Sequence, residues 1–348
     1  MVTKSKWLIG ALLVAVLISI PITCMLGAVP LSMGDVVEII LSKLGIHNTE
    51  INLQSSAIIW EIRIPRILMS IAVGAALATS GAVMQGLLRN PLADPSLLGI
   101  STGGAFTAAL YFVFMGSWIV VGSTLSESLL PIFSFLGSTI VCITTFSMAR
   151  NEKQTQVANL LLAGIAINAL CGALTGLLTY IADDAQLRNL TFWTLGSLGK
   201  STWFDTTLML SVVVVCCAGF YGMHKELNVL ILGEHNSALS GVPVEKLKIK
   251  VILLTSLAAG VSVAFCGVIS FIGLVVPHLM RLIGVVDHRY LIPASALGGA
   301  LLLCWSDTIA RTIAAPAEVP VGIITSLIGA PLFIYLIMRE KKVKYHQA

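Results

Sequence analysis

Two arginines, Arg63 and Arg66, sit at the head of a long apolar run in Trp60-Glu61-Ile62-Arg63-Ile64-Pro65-Arg66. Three residues apart, they fall near one face of a helix, and Pro65 suits a first helical turn. A cationic pair in that position can meet an acidic protein surface, snorkel to lipid phosphates, or pair with Glu61. A third arginine, Arg311, follows Asp307 by four residues in Trp305-Ser-Asp-Thr-Ile-Ala-Arg311. Internal pairing with Asp307 on one helical face and an outward docking role are both open to it.

Other reactive side chains give less. His278 follows Pro277, and a histidine there can face a pathway or bond a carbonyl that the proline frees. The segment Thr194-Leu-Gly-Ser-Leu-Gly199-Lys200-Ser201-Thr202 mimics the end of a phosphate-binding loop, but Thr194 stands where the first glycine is required. Seven cysteines, an odd number, all lie inside apolar runs without metal-ligand spacing, which suits packing. No His/Cys/Asp/Glu cluster and no nucleophile–base pair emerges. The sequence therefore offers no catalytic residue, no cofactor site and no metal site.

The elements that hold these residues are set by composition. Hydrophobic residues make up 57% of the 348 and charged residues 11%, against roughly 25% charged in a soluble domain. In hydrocarbon every peptide group must be bonded internally, so apolar runs of about 20 residues must be helices. The reading is an all-α, polytopic bundle with about ten transmembrane helices: 7–27, 59–86, 92–114, 128–149, 155–181, 204–223, 242–266, 270–284, 289–312 and 321–338. Residues 1–348 form a single transmembrane domain, and the first run is a retained helix with no convincing cleavage site before Pro30.

Threading these spans with the N-terminus inside puts fifteen of the 21 Lys and Arg residues on the cytoplasmic side, among them Arg150, Lys153, Lys246, Lys248 and Lys250. That bias satisfies the positive-inside rule and sets both termini in the cytoplasm. Small residues recur at helix-packing spacing in Gly74-x3-Ala78-x3-Ala82, Gly99-x3-Gly103 and Gly172-x3-Gly176. The stretches Gly81 to Leu87 and Gly267 to Leu274 faintly echo each other, as two structural repeats do. The net charge of +4 gives no support to nucleic-acid binding.

The longest cytoplasmic break, near 227–246, mixes Leu230, Ile231, Leu232 and Leu239 with Gly233, Glu234, Ala238 and Gly241. This pattern suggests a short amphipathic helix and turn that fits a partner's groove or lies on the membrane surface. Gradient-driven carriers keep ionisable residues deep in their helices. Here Asp94, Asp183, Asp184 and Asp307 all lie near breaks or ends, which weighs against a secondary transporter. With no nucleotide site of its own, the chain draws energy from a partner.

Four segments resemble the FecCD-type permeases of ABC importers for haem, ferric siderophores and cobalamin. They are Arg63-Ile-Pro-Arg66 through Gly81-Ala-Val-Met-Gln-Gly86 to Asn90-Pro-Leu-Ala-Asp-Pro95; Leu160-Leu-Leu-Ala-Gly164; Gly267 to His278; and Pro320-Val-Gly-Ile-Ile-Thr to Gly329-Ala-Pro331. The resemblance implies a multi-pass homodimer in the bacterial inner membrane, with the pathway between the two copies. It also implies two cytoplasmic ATP-binding-cassette ATPase subunits and an extracytoplasmic substrate-binding protein. Positions matching Arg63, Arg66 and Arg311 meet glutamates on that binding protein. The segment matching Gly233, Glu234, Ala238 and Gly241 couples to the ATPase, and Val157 and Ala158 fall at the inner gate, where some relatives carry small hydroxyl residues. Gln186 to Leu198, which includes Arg188, and Asp287-His-Arg289 look more like haem-type members than cobalamin members. The implied cargo is an iron chelate, haem ahead of siderophores, with cobalamin as the alternative.

Overall fold

The computed structural model describes residues 2–43, 45–46, 52–115, 124–151 and 154–345; Lys153, counted among the cytoplasmic cations, lies outside them. Among the described residues fifteen α-helices carry the fold. The N-terminal helices are α1 (Val2–Met25), α2 (Met33–Lys43), α3 (Leu53–Ala57) and α4 (Ile64–Leu87), the last two joined by a π-helical stretch, Ile58–Arg63. Next come α5 (Ile100–Leu110), α6 (Thr124–Ala149), α7 (Val157–Ile181), α8 (Asp184–Thr194) and α9 (Trp203–Gly222). The chain ends with α10 (His224–Leu230), α11 (Glu234–Leu239), α12 (Val244–Cys266), α13 (Ile272–Leu282), α14 (His288–Thr312) and α15 (Val321–Tyr345). Among the described residues the sole extended pairing is a two-residue hairpin of β1 (Arg150–Asn151) and β2 (Gln154–Thr155) between α6 and α7.

Seven helical stretches are long and apolar enough to cross a membrane, and three shorter ones, Ile100–Met115, Ile272–Leu282 and Val321–Tyr335, are apolar as well. Each span expected from the sequence has a helical counterpart, with the largest shifts of start in the second and third. The second begins at Leu53, not near residue 59, so Pro65 lies within a running helix instead of opening one. The π-helical stretch before it relaxes the i−4 register at the point where proline has no N–H to give. The third starts at Ile100, because Asp94 caps a short 3₁₀ turn at Pro95–Leu98 and Gly99 turns the chain at φ 78°. Helices α2 and α8 went unseen in the sequence. Both are short and amphipathic, begun by polar caps: Ser32 with Asp35, and a capping box of Asp183 with Gln186.

Helix α4 is the buried axis, with α14, α9, α13 and α12 packed around it. It crosses α14 glycine on glycine. A Cβ on Gly74 would lie 2.2 Å from the Gly299 carbonyl oxygen, and one on Gly299 would lie 2.2 Å from that of Gly74. Two turns further on, a Cβ on Gly81 would strike the Gly273 backbone, so the two stretches that echo each other in sequence pack directly together. Gly103 meets Gly137 in the same manner between α5 and α6. Such contacts let backbones approach where the hydrophobic effect gives no preference for protein over lipid. Gly172 and Gly176 differ: nothing lies within 4 Å of their built Cβ positions. Their spacing does not pack α7 inside the subunit, and the helix instead presents Leu162, Ile165, Leu170 and Leu177 outward.

All seven cysteines are unpaired, six of them buried and Cys217 partly so, as packing residues require. Trp60 and Trp203 clasp the head of α4 to α9, with ring centroids 5.1 Å apart and the Trp203 indole N–H donating to the Trp60 carbonyl at 2.8 Å.

Candidate functional site

The three arginines converge. Arg63 and Arg66 come from the α3–α4 junction and Arg311 from the last turn of α14, and Asp307 lies among them. Each is less than a tenth exposed. Arg66 holds Asp307 through Nε (2.9 Å to Oδ2) and Nη2 (2.8 Å to Oδ1). Its Nη1 donates to both oxygens of Glu318, at 2.8 and 2.9 Å. Arg63 donates to the carbonyls of Cys24 and Val29, where a side chain at Gly27 would collide with its guanidinium. Arg311 donates to the Thr23 carbonyl and sits 4.0 Å from Asp307.

Two local pairings open from the sequence resolve differently. Glu61 is not the partner of Arg63 or Arg66 in any described ion pair, and the bidentate partner of Asp307 is Arg66, not Arg311. Three guanidiniums against two carboxylates leave the cluster itself one positive charge in excess. A bidentate guanidinium–carboxylate fork is among the strongest charge-assisted contacts, and it fixes both groups in orientation. The phosphate-loop mimic lies beside this cluster: Gly199 abuts Glu318, and Thr202 exchanges hydrogen bonds with Asp205 to cap α9.

A second constellation gathers α10, α11, the β1–β2 hairpin and the start of α12. Gly233, at φ 100°, separates α10 from α11, and Gly241, at φ 84°, closes the turn into α12; left-handed backbone of this kind favours glycine. The segment foreseen as one short helix is thus two, hinged at Gly233. Ile231, Leu232, Ala238 and Leu239 stand exposed on it, while Ser237 is buried and donates to the Gly233 and Val229 carbonyls. Glu234 points inward to Lys248 at 2.8 Å. Val157 and Ala158 occupy the first turn of α7, directly after the hairpin, Val157 half-buried and Ala158 exposed.

Nearby, Asn228 of α10 donates to Asp287 at 2.7 Å and receives the His288 backbone N–H at 3.0 Å, which ties α10 to the head of α14. His278 is buried within α13 beside Pro277, and Arg188 is exposed on α8.

Glu318, Lys248, Glu245 and Thr155 escaped the sequence reading. Lys248 was counted only as a cytoplasmic cation, yet its side chain is 2% exposed. Its signal was present as Glu245-x-x-Lys248, an i, i+3 pair inside an apolar helix. Glu318 carried no local signal, being 252 residues from Arg66.

Helices of this length and apolarity, glycine-packed around a buried axis and with charge gathered at defined ends, define a polytopic membrane permease. The chain belongs to the FecCD transport family, whose model matches residues 11–339. It is 47% identical over 285 residues to the hemin transport system permease protein HmuU of Yersinia pestis, covering 82% of this chain and 84% of that one. It is 39% identical over 288 residues to the vitamin B12 import system permease protein BtuC of Salmonella paratyphi A, covering 82% and 84%. A solved inward-facing structure assigned to the metal-chelate type of ABC transporter superposes with a TM-score of 0.82 at 30% identity, covering 96% of this chain and 99% of that one. The subunit is a transporter component, embedded in the membrane.

Proposed function

We propose that this chain is the pore-forming permease of an ABC importer that carries an iron chelate inward, haem ahead of ferric siderophores. The observation that carries this reading is the family match along almost the whole chain, together with the 47% identity to a hemin permease. The 39% identity to a vitamin B12 permease keeps cobalamin as the second reading. In this proposal ten helices cross the bacterial inner membrane with both termini in the cytoplasm, and a second copy completes the pathway. Two ATPase subunits hydrolyse ATP below, and a binding protein delivers cargo from above.

Within that frame Arg63, Arg66 and Arg311 form the docking end, where one unbalanced positive charge attracts acidic groups on the binding protein. Because these arginines already hold internal oxygens, docking exchanges partners, and half-exposed Glu318 is the carboxylate most readily displaced. Gly233, Glu234, Ala238 and Gly241 shape the segment that seats in the ATPase, and Val157 and Ala158 form the inner gate.

Reconstitution into liposomes with the ATPase and the binding protein tests the whole. ATP-dependent accumulation of haemin is expected; uptake of cobalamin alone would transfer the proposal to the second reading, and transport without any ATPase subunit would overturn it. The double variant Arg63→Glu, Arg66→Glu is expected to lose binding-protein affinity and uptake together. Unchanged docking in that variant would remove the arginines from the role.

A further inference from the structure

Lys248 lies just over a turn into α12, buried, at the meeting of three elements. Its Nζ donates to the Thr155 carbonyl at 2.5 Å, to Glu234 Oε2 at 2.8 Å and to Glu245 Oε1 at 3.0 Å. An ammonium has three protons, so this set saturates it. Glu245 closes the ring, since its other oxygen accepts from the Thr155 N–H at 3.1 Å and from the Thr155 hydroxyl at 3.0 Å.

Each partner belongs to a different element. Glu234 opens α11, Thr155 ends β2 two residues before Val157, and Glu245 shares α12 with Lys248. An apolar residue of similar length would fill this site without the cost of removing an ammonium from water, so stability alone does not call for lysine. What three directed donors supply, and a methylene chain cannot, is fixed geometry that ties α11 into the same knot as the Glu245–Thr155 link between α12 and the hairpin.

We propose that Lys248 is a positioning residue that locks α11 to the head of α7. A displacement of the coupling segment then arrives at Val157 and Ala158 as movement, instead of dissipating in the hairpin and the Gly233 and Gly241 hinges. The inference rests on the coupling and gate assignments above and adds the part that joins them.

The test uses the full complex of permease, ATPase subunits and binding protein in proteoliposomes, reading ATPase association, ATP hydrolysis and cargo taken up per ATP. Lys248→Met is expected to keep association, to keep hydrolysis within about twofold and to lower uptake per ATP about tenfold, the scale of an ordinary coupling free energy. Lys248→Arg, which retains directed donors, recovers part of that loss. Glu234→Gln keeps an acceptor oxygen but removes the charge from the link to α11 alone, and is expected to lower the same ratio severalfold. If Lys248→Met fails to assemble, Glu234→Gln decides alone, and an unchanged ratio overturns the lock. Leu239→Asp, on the exposed side of α11, separates the two layers of the argument. If it leaves ATPase association intact, the coupling assignment itself fails. If it abolishes association while Lys248→Met and Glu234→Gln keep full uptake per ATP, only the lysine lock is overturned.

Discussion

Asp307 does at residue scale what a membrane subunit most needs from a buried carboxylate: it balances a guanidinium in orientation as well as in charge. Removing it strands Arg66 with half its partners, and leaving an uncompensated buried charge costs about 3–5 kcal/mol. Asp307→Ala is therefore expected to lower the thermal unfolding temperature of the detergent-dispersed subunit sharply. Glu318→Gln, on a half-exposed partner, should cost about 1 kcal/mol or less. Similar losses in both variants would mean that Asp307 does not hold Arg66. The sequence showed Asp307 beside Arg311 because four residues make one helical step. It could not show Arg66, 241 residues away, because nothing local encodes a contact between helices.

Asp287 supplies the pH dependence that can be read outside the spans. Partial burial raises its carboxyl pKa, but hydrogen bonds from the Asn228 amide and the Arg289 N–H, with His224 and His288 nearby, bring it below the ordinary 3.8. The folded state therefore favours the charged form. Its contribution is complete above that ordinary value and is lost as pH falls through the lowered one. Thermal stability should show no Asp287 contribution to any change across about pH 6 to 8, with an acid-limb loss that Asp287→Asn removes. An identical acid limb in that variant would refute the assignment.

At the scale of elements, the Gly74–Gly299 crossing is a reciprocal backbone-on-backbone constraint on the bundle. A methyl group at Gly74 must push two backbones apart, and overpacking of this kind costs about 1–3 kcal/mol. Gly172→Ala meets open space and should leave the isolated subunit as stable as before or slightly more so. Equal melting shifts for Gly74→Ala and Gly172→Ala would contradict this account of the packing. Both glycines belong to small-x3-small patterns, so the sequence displayed the two alike. The difference lies in which face of each helix meets a neighbour, and apolarity cannot report that when lipid and protein are equally oily. Long apolar helices were legible because bilayer thickness fixes their length. Helices α2 and α8 were not, since amphipathic helices of eleven residues look like connections when only long apolar windows are sought.

For the whole molecule, the exposed side of α7 is one of the apolar faces that the described residues leave unmatched. Leu162, Ile165, Leu170, Leu177 and Tyr180 stand outward along it, with Gly172 and Gly176 among them. The proposed homodimer gives this face a partner. Gly172→Leu should then leave the subunit folded but shift the purified permease from dimer toward monomer by mass photometry. An unaltered dimer would locate the subunit contact elsewhere. The candidate site was legible in proportion to how local its chemistry is. The arginines and the glycines of the 227–246 segment stood in short motifs, the positions proposed for the gate came only from resemblance, and Glu318 and Lys248 took the assembled bundle to find.

The arginine cluster also has an order in time. A ribosome delivers Arg63 after the Cys24 and Val29 carbonyls that receive it, so that guanidinium is matched as soon as α4 enters the bilayer. Arg66 is born without its carboxylates, which follow 241 and 252 residues later on α14 and the connection after it. Until those residues emerge, the nascent helix must keep a cation near the headgroups or inside the insertion machinery. A chain cut short before residue 307 never receives either carboxylate, and its Arg66 stays without them.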